Sequence, residues 1–531
     1  MSDNDHPEPG KKDPTDAVPS SAQQTSAAQT ESTIEVRYGV NEMPPLAKAT
    51  ALGIQHVLVM MASNVTIPII LATAIGATTG ETAFLVQVAL LVAGLTTLIQ
   101  TFGIGPIGAR LPIVQGTSFG FLVVSIPLAQ QYGIGAVFGG ALFAAAIQII
   151  LGFAMRWLKV LFPPIVSGIV VLVIGIGLLP TGIMLFGGGD GAEDFGSWSN
   201  LGLATLVLVV LLLAYRFGRG FLSAAAVLVS LVVGYLVAIP MGKVDFAEVG
   251  EAEWFAIPTP LQFGLEFPAA AMVAMGAMAI ATSVETIGDL SAITKAGAGR
   301  QVKDRELTGG VLADGVATAV ASFFSALPNT TFAQNVGLVA FTGVMSRHVV
   351  SIGAGFLILL GLVPKLAAII AVMPSAVLGG AAVVMFGMIL GAGIKLLADT
   401  RLDRHDLLVI AVSIGIGQGL AVVPEVSAVL PDSLEILVTS GIVPATILAV
   451  IMNLLRPKPE RGGYLDINLP VSEESDEPKK RAGFMPPRRG SREHAMAEGK
   501  AVPQEAALQE AAPEGDAPDG KAAGGKAIDD S

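Results

Sequence analysis

Ala326-Leu-Pro-Asn-Thr-Thr-Phe-Ala-Gln-Asn-Val-Gly-Leu-Val-Ala-Phe-Thr-Gly343 is a turn-forming, amide-rich stretch inside a chain that otherwise reads as successive membrane helices. In hydrocarbon an unpaired backbone N–H or C=O costs several kcal/mol. Polar irregular chain at that depth therefore persists only where it is packed in protein or faces a cavity whose contents pair with it. The stretch points to a chain that carries a polar small molecule across a membrane.

Composition supports the membrane half of that reading. Of 531 residues, 52% are hydrophobic and 14% charged, with a mean hydropathy of +0.68, more apolar sequence than a soluble core of this length can hide. The chain reads as an all-α polytopic membrane protein. Apolar runs long enough to span a bilayer recur from residue 46 to residue 455, and nothing resembling a cleaved signal peptide precedes them. Residues 1–45 and 456–531 are rich in Pro, Gly, Ala, Ser, Lys and acids without aliphatic periodicity, and both read as disordered tails. The net charge of −12 resides partly in these tails and says little about a partner. With no Cys, disulfides, thiolate metal sites and cysteine nucleophiles are excluded.

The runs resolve into about fourteen spans: 46–72, 82–102, a short 113–126, 134–156, 161–183, 199–217, 221–240, 267–292, 306–326, a short 333–344, 347–371, 375–397, 405–423 and 434–455. Cations follow the even-numbered spans: Arg156 and Lys159; Arg216 and Arg219; Lys295, Arg300, Lys303 and Arg305; Lys395, Arg401 and Arg404; Arg456 and Lys458. The positive-inside rule places those loops and both termini in the cytoplasm. Acidic loops at Asp190, Glu193 and Asp194 and at Asp245, Glu248, Glu251 and Glu253 fall on the other side.

Two elements recur in order. Leu111-Pro112 opens the polar segment Gln115-Gly-Thr-Ser-Phe119 as Leu327-Pro328 opens Asn329 to Gly337, and Pro163-x-x-Val166-x-Gly168 matches Pro374-x-x-Val377-x-Gly379. The offsets, 327 − 111 = 216 and 374 − 163 = 211, are nearly equal, as an internal duplication requires. Seven spans per half is an odd number, so the second copy, about 267–455, inserts inverted relative to the first, about 46–240. Inverted repeats with paired interruptions mark a secondary transporter whose site lies near the midplane.

Glu285 and Asp289 stand at i and i+4 in the run Met272 to Thr294 and share one helix face. Two carboxylates there are expensive, and one is expected to exchange a proton during a transport cycle. Asp289 also reads as a helix-end residue near Lys295. Asp314, flanked by small residues, suits a supporting or coupling role. His56, beside Gln55, is the one His expected inside the bilayer and reads as a structural donor. Gln334 and Asn335 carry amides with donor and acceptor capacity, and a Gln carboxamide complements the lactam edge that oxidised purines and pyrimidines display. Backbone N–H groups freed near Phe119 and Ala333 suit ring carbonyls, helped by the positive ends of the half-helices. Phe119 is placed to stack on a flat ring.

At these residues the sequence resembles the nucleobase-ascorbate transporter family, also called nucleobase:cation symporter family 2. The signature of that family is Gln, Glu or Pro, then Asn-x-Gly-x-x-x-x-Thr, then Arg, Lys or Gly, and Gln334-Asn-Val-Gly-Leu-Val-Ala-Phe-Thr342-Gly343 fits every fixed position. The resemblance extends over Gln55-His56, Gln115 to Phe121, Glu285 to Asp289 and Leu312 to Gly315. It implies fourteen spans in two inverted seven-span repeats, a core domain (spans one to four and eight to eleven), a gate domain (five to seven and twelve to fourteen), and short strands in the broken spans three and ten. It also implies substrate contacts from Glu285 and Gln334 and from the chain at Ser118, Phe119 and Ala333. His56, Gln55, Asn335, Asp289, Asp314 and Thr342 would support the site or couple it to an ion, and the assembly would be a homodimer in the cell membrane. Uracil-type members have Glu at the Gln334 position and His at the Asp289 position, so Gln and Asp here are similar to the xanthine and uric acid branch.

The expectation is thus a permease importing an oxidised purine by cation symport, with a proton as coupling ion, no cofactor, no metal and no nucleic acid. A uracil permease and an anion exchanger of related architecture are the alternatives; the latter calls for a fixed cation at the broken segments. An enzyme is disfavoured, since the membrane region offers one His, no Cys, and neither an HExxH nor a GxSxG motif.

Overall fold

In a solvent that offers no hydrogen bonds an apolar run satisfies its backbone as helix, and the computed structural model folds the runs that way. It describes residues 37–456 apart from positions 159, 160, 162, 220 and 401. The first half comprises α1 (Leu46–Ala74), α2 (Thr79–Phe102), β1 (Gln115–Thr117), α3 (Phe119–Tyr132), α4 (Ile134–Leu158), α5 (Pro164–Phe186), α6 (Trp198–Phe217), α7 (Phe221–Ala224) and α8 (Ala226–Ala238), with α9 (Ala247–Glu251) in the connecting loop. The second comprises α10 (Ala269–Ala298), α11 (Asp304–Phe323), β2 (Asn329–Thr331), α12 (Ala333–Thr342), α13 (Arg347–Gly361), α14 (Pro364–Ala371), α15 (Ser375–Ala398), α16 (Arg404–Val422), α17 (Asp432–Thr439) and α18 (Ile442–Leu454).

Local chemistry sets the ends. Thr78 and Glu81 form a reciprocal capping box at the start of α2, and Gly299 and Gly343 close α10 and α12 in the left-handed conformation that glycine adopts without strain. Among the described residues, eight helices are each long and apolar enough to cross a bilayer alone. The other expected spans are short or interrupted. The run 347–371 turns by 81° between α13 and α14, where Pro364 cannot donate into the preceding helix. The last run breaks between α17 and α18 at Gly441, whose φ is 70°.

Packing follows a pseudo-twofold. Helix α4 packs on α10 and α11, while α13, its counterpart, packs on α1 and α2. Helices α5 and α15, equivalent by sequence, cross each other through glycines. A side chain at Gly168 would meet Leu397, and one at Gly379 would meet Phe186, so the contacts interchange under the same offset: 379 − 168 = 211 and 397 − 186 = 211. The strands pair antiparallel, Gln115 with Thr331, Gly116 with Thr330 and Thr117 with Asn329, as a twofold between equivalent strands demands. Two packing groups result, α1–α4 with α10–α14 and α5–α8 with α15–α18. They correspond to the core and gate expected above. Outward-facing apolar side chains such as Ile150, Phe153, Leu212 and Leu213 stand exposed on the helices, as a lipid-facing surface requires.

Ends of like parity meet. Lys243, after α8, donates to Asp194, after α5, at 2.8 Å, and Lys295 near the end of α10 lies 3.9 Å from Asp399 after α15. Residues 37–45, which composition assigns to the tail, instead follow the end of α12. Arg37 N donates to Gly343 O at 2.9 Å, Met345 N to Tyr38 O at 2.9 Å and Arg347 N to Val40 O at 3.0 Å. Main-chain pairing, to which side-chain composition is blind, accounts for the difference. The remainder of both expected tails, with Lys159, Arg401 and Lys458, lies outside the described residues.

Candidate functional site

Both interruptions end at the same place. β1 runs into α3 and β2 into α12, with Ser118 N donating to Pro328 O at 2.9 Å and Phe332 N to Val114 O at 3.0 Å. Neither half-helix start is capped by a side chain, and although Asn335 N turns back to Phe332 O at 3.1 Å, the N–H groups that open α3 and α12 are left without a side-chain acceptor among the described residues. Helix N-termini carry partial positive charge and favour carbonyl oxygens or anions.

Beside the strands, α10 presents Glu285 and Asp289. Together with Thr117, Phe119, Ala333 and Gln334 they line a cavity of about 50 Å³, whose far wall is Val171 of α5 and Ile389, Ala392 and Leu396 of α15. Glu285 Oε2 is buried and has no hydrogen-bond partner among the described residues. Asp289 is engaged: Thr331 Oγ1 donates to its Oδ2 at 2.7 Å. Phe119 meets Phe386 of α15 edge to face, with ring centroids 5.5 Å apart. Gln334 also lines a second, larger cavity of about 290 Å³ between α1, α6, α8, α12 and α15.

Behind this wall lies a polar scaffold. Gln115 Nε2 donates to Asp314 Oδ1 at 2.6 Å, Thr286 donates to Asp314 Oδ2, and Thr286 Oγ1 lies 3.1 Å from Thr330 Oγ1. Asn335 Nδ2 lies 3.1 Å from His56 Nδ1 and 3.4 Å from His56 O, binding α12 to α1. Asn64 Oδ1 accepts from Thr117 N at 2.8 Å while its amide donates to Ala89 O, which fixes β1 against α1 and α2. Ser118 Oγ, Thr117 Oγ1 and Gln115 Oε1 are buried without partners among the described residues. Buried polar groups nearly always find partners, so a cluster without them borders a ligand or water site.

The structure therefore brings Glu285, Asp289, Phe119, Ala333 and Gln334 to one cavity and sets His56, Asn335 and Asp314 behind it. Ser118 is buried beside it. Gln55 and Thr342 do not line these two cavities, and Thr342 bonds within its own helix, to Leu338 O at 2.8 Å. Sequence reasoning missed Thr286, Thr330, Thr331 and Asn64. A signal existed for Asn64, an amide in an otherwise apolar run, and for Thr286, which lies between two intramembrane acids.

Comparison with known proteins bears on family and fold. The Permease family model matches residues 47–426. The chain is 38% identical to a xanthine permease of Bacillus subtilis, covering 77% of this chain and 93% of that one. It is 38% identical to the uric acid permease PucJ of the same organism, covering 78% and 94%, and 36% identical to the uric acid transporter UacT of Escherichia coli, covering 77% and 86%. Among solved structures, the transmembrane domain of the cyanobacterial bicarbonate transporter BicA superposes with a TM-score of 0.51 at 15% identity, covering 78% of this chain and 99% of that one. SLC26A9 superposes with a TM-score of 0.52 at 14% identity, covering 78% and 66%. At such identities the likeness is one of fold: the inverted-repeat transporter architecture.

Proposed function

The chain belongs to the Permease family, the nucleobase-ascorbate transporters whose signature it carries, and from that premise we propose that it imports an oxidised purine base, xanthine or uric acid or both, by proton symport with alternating access. The observation that carries the proposal is the partnerless, buried Glu285 Oε2, which shares one cavity with the Gln334 carboxamide and two uncapped half-helix starts. A lactam edge supplies what these groups lack, an N–H for the carboxylate and C=O groups for the amide and main-chain donors. A site of this kind disfavours bases without those groups, because its own polar atoms would be left unpaired. Hypoxanthine and adenine then bind less well than xanthine.

A cavity of about 50 Å³ has room for only one or two water-sized groups. Helix α15, which forms its far wall, has to withdraw for a bicyclic base to enter. Two packing groups that meet at the site, rocking against each other, supply such a motion. The larger cavity reaches Tyr215 and Ser223, at the ends of α6 and α7 beside Arg216 and Arg219. By the positive-inside rule that face and both termini are cytoplasmic, in a multi-pass protein of the cell membrane. One proton crossing about 100 mV supplies roughly 2.3 kcal/mol against about 1.4 for each tenfold gradient, which supports roughly fiftyfold accumulation. Helices α6 and α16 bury only 28% and 22% of their apolar windows, leaving surface for lipid and for a second copy in a homodimer.

The test is uptake of radiolabelled xanthine, uric acid and uracil into cells lacking their own permeases, with and without a protonophore. Concentrative uptake of a purine that the protonophore abolishes supports the proposal. Uptake of uracil alone would make the chain a uracil permease. For an anion exchanger the fold alone speaks, and among the described residues no Lys or Arg lines either cavity.

A further inference from the structure

The larger cavity has a chemistry of its own. Its walls are apolar side chains from both packing groups, Leu338 of α12 facing Leu211 of α6, Val227 of α8 and Met385 and Met388 of α15. Its polar features are few, and one is Gln334, the side chain that also borders the small cavity. Ser63 Oγ of α1 donates to Met385 Sδ of α15 at 3.2 Å, a weak link across the seam between the groups at this cavity.

We propose that this cavity is a subsite for an apolar substituent, so that an oxopurine bearing a short alkyl chain binds with its lactam edge at Gln334 and its chain among Leu211, Val227, Leu338, Met385 and Met388. The inference rests on the purine reading of the adjoining cavity. Volume and polarity both favour it: about 290 Å³ of space approaches the usual size of a ligand pocket, and sites of this kind pair mostly apolar walls with a few placed polar groups. Because the walls belong to both packing groups, a chain lodged there props the seam open and opposes the rocking that would release cargo. The ligand is an inhibitor held in place, not a transported base. Methionines at two of the five wall positions let the pocket adapt to chains of different shape.

The probe is a series of xanthines substituted at C8 with methyl, ethyl and propyl, which leaves every lactam N–H and C=O intact. Competition against labelled xanthine uptake should improve about fourfold for each added methylene, while labelled 8-propylxanthine binds the purified transporter and is not accumulated by cells. In Val227→Ser and Leu211→Ser the ratio of the propyl to the methyl inhibition constant should collapse toward one, each variant being referred to self-competition by xanthine. Val227→Thr, of nearly unchanged shape, serves where the serine variants fail to reach the membrane. A flat series in the unaltered protein, accumulation of the propyl compound, or an undiminished ratio in these variants would overturn the subsite. In each of those cases xanthine uptake persists and the purine reading stands; failure of xanthine itself to be taken up or to bind would overturn both.

Discussion

Gln115 on the first broken segment donates its amide to Asp314 on α11 at 2.6 Å, and the other oxygen of that carboxylate accepts from Thr286 of α10, the residue next to Glu285. One acid in the second repeat thereby holds a strand of the first repeat and the helix that carries the proposed binding carboxylate. Any change of charge at Asp314 reaches both through hydrogen bonds already made.

Asp314→Asn tests that relationship. An amide at this position cannot accept from Gln115 Nε2 and Thr286 Oγ1 with both of its terminal atoms, since one of them is itself a donor. A hydrogen bond to a charged group contributes about 1.5–3 kcal/mol, so thermal stability should fall by a comparable amount. Concentrative uptake should fall toward equilibration while xanthine still binds. Uptake that remains concentrative, measured with and without protonophore, would remove Asp314 from the coupling proposal.

The glycine crossing of α5 and α15 gives a prediction about folding. A Cβ at Gly379 would lie 2.1 Å from Phe186 N and 2.4 Å from Leu185 C, whereas one at Gly168 would first meet the tip of Leu397, Cδ2 at 2.7 Å. Main chain cannot yield as a leucine rotamer can. Gly379→Ala should therefore reduce detergent-solubilised melting temperature and membrane levels far more than Gly168→Ala, despite the pseudo-equivalence of the two positions. Equal losses would show that the two crossings are equally tight.

Much of this arrangement was legible in the chain. Span order and the paired interruptions follow from hydrophobic run length and from the recurrence of Leu-Pro and Pro-x-x-Val-x-Gly, because hydrocarbon forbids unpaired backbone and so makes every break conspicuous. Glu285 and Gln334 stood out for the same reason, as polar groups where burial is costly. The break at Gly441 and the turn at Pro364 were hidden inside apolar runs, where length alone says one span. Thr330 and Thr331 were unremarkable as residues; only strand pairing aims one at Thr286 and the other at Asp289. The docking of residues 37–45 was illegible because it is made by main chain.

Outside the membrane, Asp403 gives a dependence on pH. It caps α16, and Arg456 after α18 donates to its Oδ2 at 2.6 Å. Partial burial works against its charge, but the N–H of Asp406 and the Arg456 guanidinium outweigh burial and hold the carboxyl below its ordinary 3.8. A depressed folded value means that stability is fully present above the unfolded value and is lost as pH falls through the folded one. The loss should therefore begin only below about pH 4, and for a pair this exposed it should be on the order of 1 kcal/mol or less. Asp403→Asn keeps a good cap and removes the charge together with the acceptor that faces Arg456. Its melting temperature should fall slightly short of the unaltered protein at pH 7, and that shortfall should shrink as pH falls below about 4; a deficit unchanged across that range would assign the effect to the lost hydrogen bond rather than to the charge.

Glu285→Gln separates charge from shape at the proposed site. The substitution keeps volume and one acceptor oxygen, yet the group can no longer be ionised or give up a proton. Where the carboxylate accepts a ring N–H, losing that charged partner weakens binding by about 1.5–3 kcal/mol, roughly ten- to hundredfold. Uptake should vanish altogether, because the carboxylate that meets the ring N–H would be gone and Asp289, already accepting from Thr331, does not take its place. Gln334→Ala removes the amide and also opens the wall between the two cavities, so xanthine binding should weaken while discrimination against hypoxanthine declines with it. Both variants should reach the membrane at normal levels, since neither Glu285 Oε2 nor the Gln334 amide makes a hydrogen bond that the fold depends on among the described residues. Near-normal transport by either would discard that residue from the site and leave the carboxamide and carboxylate pairing without its function.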